Sequence, residues 1–241
     1  MSSLAQTENL PAHRRVFDAL RAELMDGRYR PGDVLTLRRL AADYRVSPMP
    51  VREALRQLIA ERALTVRPSG SVMVPEMDLA RLADLKQVRL LLEGRAAELA
   101  AQAISKDRLK ALKRTLRRSE ATRGDDGALP NLTQNRVFHF QIYRAAGSDV
   151  LVPLIESLWL QFGPYLRIVT QRVGTAWGTG DQHHREVIEA LTARRPAAAR
   201  RAIERDISRA MDILLDGHPS EIAAWIGLDR LQRQGLPAQT A

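Results

Sequence analysis

The 241-residue chain contains no cysteine, which excludes disulfide bonds, thiolate metal sites and cysteine nucleophiles. The absence of cysteine also fits a reducing compartment, and we expect a cytoplasmic protein. Aromatic residues make up only 5% of the chain, which disfavours a large β-sandwich. No apolar run approaches the roughly 18–20 residues of a membrane helix. The N-terminus also lacks the basic and apolar segments of a secretory signal, so no membrane partner is expected.

The charge balance is basic, with 37 Lys and Arg residues against 28 Asp and Glu residues and a formal net charge of +9. A basic chain often has an anionic partner, such as nucleic acid, a membrane surface or an acidic ligand. Hydrophobic residues make up 45% of the chain, an ordinary globular composition that argues against disorder. The length allows one or two domains.

The first part of the chain has the pattern of a small DNA-binding module. Apolar residues recur at helical spacing over 14–25, 36–44 and the segment that follows Ser47. Two short β-branched runs, 65–67 and 72–74, flank a Pro-Ser-Gly turn and predict a hairpin. Three helices and a hairpin within about 65 residues are the layout of a winged helix-turn-helix, which places the helix after the turn in the major groove.

Arginines are concentrated around the predicted reading helix. The segment 28–67 contains nine Arg and four acidic residues, and Ser47 is placed to cap the reading helix and to offer its N–H to a phosphate. These arginines could instead be solvated residues on ordinary surface helices. Arg52 in particular could pair with an acidic neighbour such as Asp43.

From Asp78 onward the pattern is helical throughout. A long apolar stripe from Leu79 to Leu99 is followed by five further helical segments, which we place near 105–121, 131–145, 149–172, 182–193 and 196–215. We therefore predict a mainly α protein with two domains, a winged helix-turn-helix over 8–76 and an all-helical bundle over 78–220.

Four polar residues of the helical part could form a metal site. Asn135 and His139 are four apart and share one face of a helix. His184 and Asp206 lie eleven residues before and after a hinge near Arg195, so in an antiparallel hairpin they sit at the same height. Two imidazoles, a carboxylate and an amide oxygen suit Zn²⁺, Ni²⁺ or Mn²⁺. Alternatively, these residues could be surface or capping residues, with Asp206 paired to a neighbouring arginine.

The N-terminal part resembles the GntR family of bacterial regulators. The resemblance rests on 27–33, Leu40-Ala41 and 46–55, above all on the string PVREAL at 50–55 with Pro-Gly eighteen residues upstream. The family often has Arg where this chain has Pro48, so one base contact could be missing there. From the resemblance and the arginine cluster, the candidate DNA-binding residues are Arg38, Ser47, Met49, Arg52, Arg56, Ser69 and Gly70, the last two in the wing.

The helical part resembles the FCD ligand-binding domain of the FadR-type GntR subfamily. The matching strings begin at Val88-Arg89, Phe138-His139 and His184-Arg185. The resemblance implies a metal set of one Asp and three His, at the bottom of a cavity that holds a small organic acid. In this chain the four places hold Asn135, His139, His184 and Asp206, so the carboxylate has moved from the first place to the last. We expect the effector's carboxylate to bind Arg89, Gln161 and Tyr165.

These features predict a ligand-responsive transcriptional regulator, in most similar proteins a repressor, rather than an enzyme. Its partners would be operator DNA, a small carboxylate and a second copy of the chain, since two half-sites need two heads. Its cofactor would be a divalent metal ion. Three alternatives stay open: a metal-free sensor, a metalloenzyme with a His/His/Asp site, and an architectural DNA binder without a ligand.

Overall fold

The structure is a computed structural model that describes residues 10–76, 78–121, 128–173 and 180–216. The chain divides into two compact units. The N-terminal unit comprises the residues up to 77 together with Glu156–Tyr165, and the helical unit comprises Asp78–Ile155 and the residues from Leu166 onward. The predicted domain ends at 8 and 220 lie outside the described residues.

The N-terminal unit is a winged helix-turn-helix. Its sheet has the strand order β1-β3-β2, both pairs antiparallel, and β3 lies between the other two strands. The sequence predicted β2 and β3 but not β1, which has only two residues and therefore shows no alternation. The elements are α1 (Ala12–Met25), β1 (Val34–Leu35), α2 (Leu37–Asp43), α3 (Pro48–Ala60), β2 (Thr65–Val66) and β3 (Val72–Met73).

The core of this unit lies between α1 and α3, which pack against each other. Leu20 and Leu24 of α1 and Val51 and Leu58 of α3 are completely buried. Their spacing of four residues in α1 and seven residues in α3 places each pair on one side of its helix. Burying a side chain of this size contributes about 1.5–3 kcal/mol, which orients α3 and leaves its opposite face to solvent.

Ser47 is the N-cap residue of α3, but its side chain makes no capping hydrogen bond. The prediction was right about the position and wrong about the side-chain cap. Pro48 and Pro50 occupy the first turn. A proline there lacks the backbone N–H that a capping side chain would accept from, so little is left for the serine hydroxyl to satisfy.

The helical unit confirms the predicted mainly α architecture. Asp78 caps its first helix by accepting from the backbone N–H groups of Ala80 and Arg81 at 3.0 and 3.3 Å. The described part of this unit has six helices. The first packs along the sixth, and the sixth also packs on the fifth. The helices are α4 (Leu79–Ala103), α5 (Lys106–Ala121), α6 (Ala128–Ala145), α7 (Leu151–Val173), α8 (Gly180–Thr192) and α9 (Pro196–Leu215).

The middle of α7 groups with the N-terminal unit, which the sequence did not indicate. Arg21 of α1 donates to Glu156 at 2.8 Å. Gly163 lies so close to α1 that a Cβ at this position would be 2.2 Å from the carbonyl oxygen of Leu24. Only glycine permits this approach of two backbones. Among the described residues, no helix is both long and apolar enough to cross a bilayer.

Candidate nucleic-acid interface and candidate metal centre

The turn between α2 and α3 sets the direction of the reading helix. Arg45 adopts a left-handed conformation with φ of 52°. The next N–H, that of Val46, donates to the carbonyl of Ala41 at 3.0 Å and closes the end of α2. This is the geometry of a left-handed helix C-cap, which glycine usually provides. The chain then enters α3 at Pro48, so the residues around the start of α3 are presented at the surface.

All seven predicted DNA-binding residues are exposed, namely Arg38, Ser47, Met49, Arg52, Arg56, Ser69 and Gly70. A groove of about 380 Å³ lies between α3 and the wing, and Arg52, Arg56 and Gly70 line it together with the β1 strand. Gly70 has a φ of 82°, and the wing turn is closed by a hydrogen bond from its N–H to Arg67. The structure therefore brings the helix and the wing to one concave surface.

The structure tests whether Arg52 pairs with an acidic neighbour such as Asp43. Asp43 lies 3.6 Å from Arg39, and Glu53 lies 3.9 Å from Arg56. Within the part of the chain that the structure describes, no carboxylate is within ion-pair distance of Arg52. The Arg52 guanidinium thus keeps its hydrogen-bonding capacity for a partner outside the chain.

Three of the four predicted metal ligands converge inside the helical unit. One ligand atom from each of His139 on α6, His184 on α8 and Asp206 on α9 lies within 4.8 Å of the other two. His139 Nε2 is 3.1 Å from Asp206 Oδ2, and His184 Nε2 is 3.7 Å from Asp206 Oδ1. The side chains are 2%, 7% and 15% exposed, respectively. The cluster is therefore a buried site and not a chance meeting of surface groups.

The cluster fits a divalent cation in both distance and charge. Ligand atoms around a tetrahedral zinc lie about 3.3 Å apart, because each bond is about 2.0–2.1 Å long, and the two measured distances bracket this value. Burial raises the pKa of Asp206, but His184 and His139 outweigh it and lower the pKa to about 2. Asp206 is thus a carboxylate at neutral pH, as a metal ligand must be.

Two further residues of α6, Asn135 and Phe138, are close to His139 along the helix. Asn135, the fourth predicted ligand, is buried on α6 one turn before His139. The Phe138 ring stacks on the His184 ring, with 4.2 Å between centroids and 29° between planes. Asn135 would add an amide oxygen, which cations of this type accept less readily than a carboxylate.

A buried chain of polar groups continues from His139 away from the cluster. His139 Nδ1 is 2.9 Å from the hydroxyl oxygen of Tyr143, and that hydroxyl donates to Glu93 at 2.5 Å. Glu93 in turn accepts from Arg89 at 2.5 and 3.2 Å. Neither Tyr143 nor Glu93 was predicted from the sequence to be a site residue. The signal available in the sequence was the spacing: Tyr143 lies four residues after His139, and Glu93 lies four residues after Arg89. Residues four apart are neighbours on one side of a helix.

The structure distributes the three predicted effector residues over both units. Arg89 belongs to the helical unit, where it is buried against Glu93 and the sulfur of Met211. Gln161 and Tyr165 belong to the N-terminal unit. Gln161 donates to the carbonyl of Ser157, and the Tyr165 hydroxyl donates to that of Glu76 at 3.4 Å.

Comparison with known families assigns both parts of the chain. Residues 12–74 match the model of bacterial regulatory proteins of the gntR family. Residues 84–209 match the FCD domain model. The chain is a gntR-family transcriptional regulator with an FCD domain. The FCD match includes α7, whose middle groups with the N-terminal unit.

The curated relatives of this gntR-family chain are also regulators. It is 31% identical to the HTH-type transcriptional regulator McbR of Escherichia coli (strain K12) over 164 residues, which are 67% of this chain and 73% of McbR. It is 28% identical to the Nta operon transcriptional regulator of Aminobacter aminovorans over 130 residues, which are 54% of this chain and 61% of that protein. The expectation that the chain is a regulator and not an enzyme is thereby confirmed.

Solved structures show the same gntR-family fold. Escherichia coli McbR/YncC superposes with a TM-score of 0.81 at 26% identity, covering 86% of this chain and 98% of that one. A GntR regulator from Rhodococcus sp. RHA1 superposes with a TM-score of 0.70 at 21% identity, over 86% of this chain and 98% of that one, which shows the fold alone.

Proposed function

We propose that this regulator binds operator DNA as a homodimer and senses a small carboxylate in its helical unit with the help of a divalent metal ion. The buried cluster of His139, His184 and Asp206 carries the proposal. A protein that only binds DNA has no use for three convergent ionisable groups in its interior, because burying them costs free energy that apolar packing would avoid. This cluster disfavours the architectural alternative.

The proposed metal is Zn²⁺, Ni²⁺ or Mn²⁺, held by His139, His184, Asp206 and Asn135. Two imidazoles and a carboxylate leave coordination positions open, and a metal bound there acts as a Lewis acid that attracts a carboxylate oxygen of the effector. Arg89 is the proposed second anchor for the effector, through those of its five guanidinium N–H groups that do not donate to Glu93. Gln161 and Tyr165 remain proposed effector residues.

One observation favours a metal-free sensor as the second candidate. His139 Nε2 and Asp206 Oδ2 are 3.1 Å apart, a distance at which a protonated imidazole donates directly to a carboxylate. In that case, the two imidazoles and Arg89 would hold the effector without an ion. Elemental analysis of the purified protein separates the two candidates.

The proposed mechanism is a population shift. The effector would favour one orientation of the two DNA-binding heads over another, and only one orientation matches the spacing of the half-sites. We propose that the protein is a repressor released by its effector, acting in the bacterial cytoplasm on nucleoid DNA. Repression is the role in the names of several relatives, among them the gluconate operon transcriptional repressor of Bacillus subtilis (strain 168), which is 28% identical over 152 residues.

The DNA-binding proposal predicts a large effect of Arg52→Ala. Arg52 is exposed on α3 and lines the groove beside the wing. Losing a bidentate contact to a base costs about 1–3 kcal/mol, roughly a 5–150-fold weaker Kd, and relaxes the sequence preference at one position. The measurement is the Kd for a duplex that the wild-type protein selects from a random-sequence pool, at fixed salt.

Arg95→Ala is the matched control for this measurement. Arg95 is also an exposed helical arginine, but it belongs to the helical unit and pairs with Glu98 at 2.8 Å. The Arg95→Ala variant should therefore bind the selected duplex with the same Kd as the wild-type protein. Equal Kd values for the Arg52 and Arg95 variants would exclude Arg52 from the DNA contact.

A further inference from the structure

We propose that Tyr143 and Glu93 are positioning residues of the metal centre: they hold the Nδ1–H proton of His139 and thereby turn its Nε2 lone pair toward the ion. The inference rests on the proposed metal site and deepens it. Both residues act through His139: Tyr143 contacts one of its ring nitrogens, and the other ring nitrogen faces Asp206.

The positions of the protons follow from the partners of each group. Arg89 donates to both carboxylate oxygens of Glu93, so both oxygens act as acceptors. The Tyr143 hydroxyl has one proton to donate. That proton points to Glu93, 2.5 Å away. The hydroxyl oxygen of Tyr143 can then only accept from His139.

His139 must therefore carry a proton on Nδ1, which is 2.9 Å from the Tyr143 oxygen. In a neutral imidazole the other nitrogen, Nε2, has the lone pair. Nε2 faces the Asp206 carboxylate at 3.1 Å, and two lone pairs at this distance repel each other. A cation or a proton between them removes the repulsion. The tautomer that Tyr143 selects is thus the one that a metal centre at Asp206 requires.

Burial keeps the arrangement rigid. Glu93 is completely buried and His139 is 2% exposed, so water does not compete for their hydrogen bonds. Glu93 lies one turn after Arg89 on α4, and Tyr143 lies one turn after His139 on α6. The chain of hydrogen bonds therefore ties the orientation of one ligand to the packing of α4 against α6.

The test uses the full-length protein loaded with Zn²⁺. Tyr143→Phe removes only the hydroxyl and should weaken zinc binding about 10–100-fold, the usual effect of losing an outer-shell partner of a ligating histidine. Zinc affinity is measured by competition with a chromophoric chelator. Tyr44→Phe is the matched control. The Tyr44 hydroxyl also donates to a carboxylate, that of Glu23 at 2.9 Å, but it lies in the N-terminal unit. The Tyr44→Phe variant should therefore bind zinc as tightly as the wild type.

A second measurement needs no variant. Long-range ¹H–¹⁵N correlation spectra of histidine-labelled, zinc-loaded wild-type protein distinguish the two ring nitrogens of His139. The inference expects a protonated Nδ1 and a zinc-bound Nε2. Zinc on Nδ1, or equal zinc affinity of Tyr143→Phe and wild type, would overturn it. A wild-type protein that takes up no Zn²⁺ would instead overturn the proposed metal site itself, so the two failures are distinguishable.

Discussion

His139→Ala should purify without metal, whereas the wild-type protein should contain close to one equivalent per chain. His139 is 2% exposed and its Nε2 lies 3.1 Å from Asp206, so its removal takes one of the two imidazole ligands away from the proposed ion and leaves room only for a water, a weaker ligand, in its place. The affinity loss should exceed the roughly 100-fold that marks the upper end for outer-shell residues. Elemental mass spectrometry of the untagged protein gives the metal content directly, and addition of Zn²⁺, Ni²⁺ or Mn²⁺ should not restore it.

The control for this prediction is His13→Ala. His13 is an exposed residue of α1 in the N-terminal unit, and its loss should leave the metal content unchanged. The His139 variant should keep its operator affinity but lose its response to effector, because the winged helix does not depend on the cluster. A variant that loses stability yet still responds to effector would contradict the assignment of His139 to the sensor site.

Glu93→Ala should destabilise the helical unit by about 3–5 kcal/mol, the usual cost of removing one partner of a buried ion pair. Glu93 is completely buried and accepts from Arg89 and from Tyr143. Without it, the Arg89 guanidinium would lose the anion that compensates its charge in the interior. For a unit of this size the loss corresponds to a fall in Tm of roughly 6–20 °C, measured by circular dichroism during thermal unfolding.

Two further variants make the measurement specific. Glu98→Ala removes a partly exposed carboxylate from the same helix, one that pairs with Arg95, and should cost no more than about 1 kcal/mol. The double variant Arg89→Met, Glu93→Leu removes both buried charges and should be more stable than Glu93→Ala alone. If Glu93→Ala were no less stable than Glu98→Ala, the buried ion pair would not have the energetic role that we assign to it.

The helices could be predicted from the sequence because each depends on local pattern. The helical periodicity of apolar residues predicted α3 and the six helices of the second part, within a few residues of their observed ends. The convergence of His184 with Asp206 also followed from local information, since two helices joined at a short hinge must run antiparallel. The β1 strand was missed, because it exists only through its pairing with β3.

The sequence by itself determined the family, the mainly α fold, the exposed arginines of the reading helix and three groups of the candidate metal site. These depend on residue types at fixed spacings along one helix or one hairpin. Only the tertiary structure decided that the middle of α7, with Gln161 and Tyr165, groups with the N-terminal unit. It also decided that Tyr143 and Glu93 connect Arg89 to His139. The contacts of Arg21 with Glu156 and of Tyr143 with Glu93 join residues 135 and 50 positions apart. No local spacing contains them, because the packing of whole helices sets which distant side chains meet.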